Sequence, residues 1–187
     1  MPFPDERAES VTALVHAVPD ALAYLAGEWR VERTVRDFAG VAGAPAEGVF
    51  TGTTRFTPLD GAEPADAAQT DATQTDATQT DAAQADAGLL HHESGTFTWH
   101  GVARPAERTL RFLPGALPGT VRVHFADGRF FHDLDLRSGR HTADHPCAAD
   151  LYRGEFEVYG EARWRTRWRV AGPAKDLLLT TDYTRVL

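Results

Sequence analysis

The sequence predicts an all-β protein: an antiparallel barrel or sandwich of about ten strands behind a short helical lead-in. Three observations predict it. Alternation of apolar and polar residues starts at Trp29 and recurs to the C-terminus. Gly, Pro or Asp-Gly separates the alternating runs, and helical spacing is confined to the residues before Gly27.

The lead-in comes first. Ser10 to Ala17 has helical spacing behind a serine that can cap it, and Pro19-Asp20 opens a second short piece, ALAYLAG, closed by Gly27. Trp29, Val31, Arg33 and Val35 then share one strand face, with Arg30, Glu32, Thr34 and Arg36 on the other. The strand candidates are Glu28–Arg36, Gly48–Thr57, Leu89–Glu93, Thr96–Val102, Arg108–Leu113, Val121–Ala126, Arg129–Leu136, Leu151–Tyr159, Ala162–Val170 and Leu177–Val186.

One hairpin is nearly forced, because Asp127-Gly128 between two alternating runs is a two-residue turn signal. Closing it there sets Phe125 opposite Phe130, Val123 opposite His132 and Arg122 opposite Asp133. The apolar face then carries Val121, Val123, Phe125, Phe130, His132, Leu134 and Leu136. His124, Phe131, Asp133 and Asp135 turn outward.

The chain of 187 residues is expected to form one domain, 1–187, with 62–87 as a disordered loop insertion. In that tract Asp66, Asp71, Asp76, Asp81 and Asp86 recur every five residues, which suits neither helix nor strand and gives no apolar face. Much of the formal charge of −8 comes from it, so the rest is only mildly acidic. No apolar run approaches the roughly 18 residues that cross a bilayer. The N-terminal MPFPDERAES lacks the layout of a signal peptide, and one cysteine suits a reducing compartment. A cytoplasmic protein without membrane partners is the expectation, with monomer and homodimer both left open.

Leu25-Ala26-Gly27-Glu28-Trp29 resembles the entry motif of lipocalin-like (calycin) barrels. The blocks DGRFFHDLDL, HPCAADLYRG and WRTRWRVAGPAKDLLLTTDYTR, in that order, resemble an uncharacterised bacterial family of small lipocalin-like proteins. The likeness implies an antiparallel barrel of about eight to ten strands with an internal cavity and no established reaction. It also implies that Arg185 packs against Trp29. Tyr183-x-Arg185 looks similar to the Tyr/Arg pair that holds a ligand carboxylate in fatty-acid-binding relatives, although one guanidinium cannot do both jobs with its full fork of donors.

His132 lies in the middle of an apolar face, so it reads either as a cavity group or as a core histidine satisfied by its neighbours. His145-Pro146-Cys147 reads as a turn-like segment, followed by Asp150 and Tyr152 on one strand face. It is open to a His–Cys pair, a metal site shared with His132 and His141, a polar binding patch or no role at all; no metal and no cofactor is assigned. His91 and His92 point to opposite sides of a strand and cannot chelate together. The arginines Arg163, Arg165, Arg167 and Arg169 read as a solvent face paired with acids such as Glu155 and Glu157, which argues against nucleic acid as a partner. No nucleotide, zinc-protease or nucleophile-elbow motif occurs.

The leading expectation is a barrel binding a small, partly apolar molecule. Trp99, Phe125, Phe130, Trp168 and Tyr152 supply surface, and His132, His145, Tyr183 and Arg185 supply polar contacts. The alternative is an enzyme on the same barrel, a cyclase, isomerase or hydrolase. It would use His132 as general acid or base, with Tyr152 or Asp150 as partner. A third reading is a module that only associates with other proteins.

Overall fold

Alternating sequence becomes alternating burial. In the computed structural model, which describes residues 15–39, 45–59 and 88–187, Trp29 and Val31 are buried while Arg30 and Glu32 face outward. Ten antiparallel strands share one sheet: β1 (Gly27–Asp37), β2 (Ala46–Pro58), β3 (Leu89–Trp99), β4 (Val102–Pro114), β5 (Val121–Phe125), β6 (Phe130–Leu134), β7 (Arg140–Cys147), β8 (Asp150–Gly160), β9 (Arg163–Gly172) and β10 (Lys175–Arg185). Their order is β6-β5-β4-β3-β2-β1-β10-β9-β8-β7, which rolls into a nearly closed barrel whose edge strands β6 and β7 lie side by side. The expected antiparallel barrel is therefore the observed one. The tract 62–87 and the segment Ser10–Leu14 lie outside the described residues.

A short helix, α1 (Ala21–Leu25), plugs one end. Asp20 caps it, its carboxylate accepting from the Ala23 N–H at 3.0 Å. Ala21, Leu25 and Trp29 are fully buried beneath it. Arg185 locks the plug: its guanidinium lies 4.1 Å from the Trp29 ring centroid and donates to the carbonyls of Ala26, at 2.9 Å, and Tyr24. The Trp29 indole donates to Leu25 O at 2.8 Å. Val15–Ala17, the described end of the helix expected over Ser10–Ala17, is not helical. The chain crosses the same end there, with the N–H groups of His16 and Val18 donating to Val158 O and Leu136 O. Those long-range bonds outweigh a local helical preference.

Three further differences have physical reasons. Leu89–Glu93 and Thr96–Trp99 form one strand, because Gly95 faces Gly52 where a Cβ on either would collide with the opposite backbone. Val102 starts β4 after the turn at His100-Gly101. The supposed turn around His145-Pro146-Cys147 is the end of β7, an edge strand; Pro146 sits where a missing N–H breaks little. In the β5–β6 hairpin Val123 pairs with His132 and Arg122 with Asp133, as expected. A bulge then pairs His124 with Phe130, so the outer part of the register shifts. Phe131 consequently turns inward and Phe130 outward, where it is 44% exposed.

Candidate functional site

Above the plug the inward faces of β1, β2, β3, β4, β6, β8, β9 and β10 surround a cavity of about 150 Å³. Its floor is Tyr183 stacked on Trp164, with ring centroids 3.7 Å apart. Further along the barrel, Val35 of β1 and Leu177 of β10 border a wider hollow of about 700 Å³ at the open end, lined also by Phe97 and Trp99.

One wall is aromatic. Phe131 and Trp168 lie nearly parallel, 14° apart with centroids 5.2 Å apart, and Phe156 meets Trp168 edge-on. Gly154 makes this possible: it pairs with Trp168 across β8 and β9, and a Cβ there would strike the indole. His132 sits among these rings, 4% exposed, 5.3 Å from both Trp168 and Phe156. Its Nδ1 points at the Asp133 carbonyl at 2.8 Å, and His141 aims Nε2 at the same oxygen at 2.9 Å. A carbonyl only accepts, so Nδ1 carries the proton and Nε2 of His132 keeps a lone pair. That Nε2 has no hydrogen bond among the described residues and is not sealed from the cavity. Burial, opposed by the Asp133 carbonyl, pulls the His132 pKa down to about 4.

The opposite wall is charged. Arg33 and Glu93 form a bidentate pair at 2.9 and 2.8 Å, and Arg33 Nε donates to Thr181 Oγ1 at 2.8 Å. Arg108 reaches the same Glu93 oxygen at 3.4 Å. Burial works against both charges. Even so, Tyr183 and Glu93 hold Arg33 above its ordinary pKa, and Arg108 and Arg33 hold Glu93 below the usual carboxylate range. His91 lies between Phe56 and Phe112, 2% exposed, and its Nδ1 has no partner among the described residues. Burial, with Arg108 adding to it, drives its pKa down to about 3. β4 outruns β5 here: pairing with β5 begins only at Leu110, so Arg108 stands at a side opening, its side chain 42% exposed.

The structure gathers some expected residues and scatters others. His132, Tyr152, Trp168 and Tyr183 line the cavity together. His145 is at the rim, 4.9 Å from Phe131 and 5.8 Å from Phe125. Trp99 lines the outer hollow, stacked on Phe97. Asp150 shares its face with Tyr152 as expected, but both meet Lys175, at 2.6 Å for the carboxylate and 3.4 Å for the phenol, and Asp150 does not line the cavity. Phe130 is outside, under Arg122, and Arg185 is at the plug, its donors committed to carbonyls. Cys147 is exposed.

Sequence reasoning missed Arg33, Glu93, Arg108 and His91 as a set. The available signal was a charge on an apolar face: Arg33 alternates with Trp29, Val31 and Val35, and Glu93 with Leu89 and His91. The arginine face of β9 is neutralised, Arg165 by Asp182 at 2.9 Å and Arg169 by Asp176. Its register also matches Arg165 with Glu157 and Arg167 with Glu155. Among the described residues no three His, Cys, Asp or Glu side chains converge as metal ligands, and no helix is long and apolar enough to cross a membrane.

The barrel is similar in fold to the S-type phycobiliprotein lyase CPES from Guillardia theta, with a TM-score of 0.60 at 8% identity over 92% of this chain and 94% of that one. A protein of unknown function from the DUF3598 family of Nostoc punctiforme aligns with a TM-score of 0.49 at 13% identity, over 88% of this chain and 49% of that one. A redesigned β-barrel, mFAP0, bound to DFHBI aligns at 0.40 and 14% identity, over 87% and 99%. No curated protein matches the chain. The model of the family of unknown function DUF6314 matches residues 25–185, and the chain belongs to that family.

Proposed function

We propose that this barrel binds a small, partly apolar molecule in its interior. The carrying observation is the cavity itself, a hollow of about 150 Å³ between stacked aromatic rings and a buried ion pair, with the Nε2 lone pair of His132 left unmet. An apolar cavity of roughly this volume admits a benzene-sized group. Phe131, Trp168 and Tyr152 supply contact area; His132 and Tyr183 orient the guest; Trp99, Phe125 and His145 meet whatever extends toward the mouth. A single exposed cysteine suits a cytoplasmic setting.

The enzyme reading rests on the same histidine. A pKa near 4 leaves His132 uncharged at neutral pH but a weak base, which favours a hydrogen-bond acceptor over a proton-abstracting group. The third reading, a protein-association module, leaves the cavity without a role.

Ligand-observed NMR with small aromatic fragments tests the proposal, alongside native mass spectrometry for a retained guest. Fragments are expected to bind the wild type and to lose binding when Leu179→Trp fills the cavity it lines. Absence of binding to the wild type, or binding unchanged in the filled variant, would refute it.

A further inference from the structure

The charges around the cavity do not cancel. Arg33 and Arg108 both line it, and one carboxylate stands between them. Glu93 is consumed by Arg33, with a bond from each terminal nitrogen, and meets Arg108 only at 3.4 Å. The remaining donors of Arg108 have no partner among the described residues. His91 and His132 are neutral, so they add no charge, and Arg108 is among the causes that keep both deprotonated. At the outer hollow Asp37 and Arg104 offset one another. The interior therefore carries one uncompensated positive charge.

One unmet polar atom leans the same way, whereas the His132 Nε2 lone pair calls for a donor. Trp164, 4% exposed and lining the cavity, has an indole N–H with no acceptor among the described residues. Indole nitrogen and guanidinium only donate, so what this wall lacks is acceptors. The opposite wall offers parallel rings, and the volume between suits one ring.

We propose that the guest is a small planar monoanion, an aromatic carboxylate or its chemical equivalent, with its charged end on Arg108 and its ring against Phe131 and Trp168. This rests on the cavity being a binding site. A guanidinium at a partly dry opening pairs with a carboxylate through two parallel N–H bonds, and water competes less well there than at an open surface.

Benzoate, benzamide and benzamidine share one planar shape and differ in charge, which makes them the probes. Titrated into the full chain by NMR, benzoate is expected to bind about tenfold or more tightly than benzamide, with benzamidine weakest. In Arg108→Gln, benzoate should fall to within about threefold of benzamide while benzamide is unchanged; Arg108→Lys should keep part of the preference. Arg108 is partly exposed and Glu93 keeps Arg33, so both variants should fold, as circular dichroism would verify. Benzamide binding as tightly as benzoate, or a preference that survives Arg108→Gln, overturns the anion inference and leaves the cavity reading intact if Leu179→Trp still blocks benzamide. Failure of all three probes on the wild type overturns both.

Discussion

The plugged end and the middle of the barrel interior use buried polar groups differently. At the plugged end Arg185 lies on Trp29, donates to Ala26, Tyr24 and Glu161 carbonyls, and lines neither hollow of the interior. In the middle, Arg33, Arg108, His91 and His132 face a cavity, and polar atoms of Arg108, His91 and His132 lack a protein partner among the described residues. Both regions bury charge among aromatic rings. The satisfied end is scaffold, and the unsatisfied middle has the character of a site, because an unmet buried polar atom costs stability unless something else meets it.

The largest test of that contrast is Glu93→Gln. It strands the Arg33 guanidinium in the interior and is expected to cost about 3–5 kcal/mol in urea unfolding. The double replacement Arg33→Met with Glu93→Leu should recover most of that loss while altering ligand binding. Arg185→Lys comes next. It loses the planar fork and leaves a plug carbonyl unmet, for about 2 kcal/mol, and fragment binding should not change. If binding falls with it, the two regions are coupled and the contrast fails.

Mild acid should act on the middle. His91 and His132 are neutral when folded, with pKa values near 3 and 4, whereas in the unfolded chain they protonate near the ordinary value of 6.5. Below about pH 6.5 the unfolded chain binds more protons, so stability is complete above that pH. It falls as pH drops toward 4 for His132 and toward 3 for His91, by about 2 kcal/mol per histidine at pH 5. Urea midpoints between neutral and mildly acid pH would show the slope, and His132→Gln should remove about half of it. The smallest effect separates neighbours on the bulge. Phe130→Ala should stay within about 0.5 kcal/mol and spare binding, whereas Phe131→Ala should weaken fragment binding several-fold.

The barrel was legible because alternation is a local property: each strand declares its inner face without knowledge of its neighbours. The packing of Arg185 on Trp29 was legible only through the resemblance to lipocalin-like barrels, which implied it. The bulge was not, because in Phe130-Phe131 either ring serves equally as the inward apolar residue. β7 was hidden because an edge strand needs only one neighbour and so tolerates the polar, proline-containing HTADHPC. Arg33, Glu93 and Arg108 come from three strands, and no spacing announces that two arginines share one carboxylate. Each was visible only as a charge on the wrong side of a strand.

The meeting of β6 and β7 sets where this molecule gives way. Everywhere else, parting two neighbouring strands breaks a backbone ladder; between these two the sheet order records none, and the His141 imidazole reaching the Asp133 carbonyl is a side-chain clasp. The barrel is thus a rolled sheet fastened along one line by side chains, the His141 clasp and the Phe131–His145 ring contact among them. Amide exchange should be fastest along that line and slowest around β1, β2 and β10. The same clasped oxygen orients His132, so slackening of the seam would reach the cavity wall before any other part of the barrel has moved.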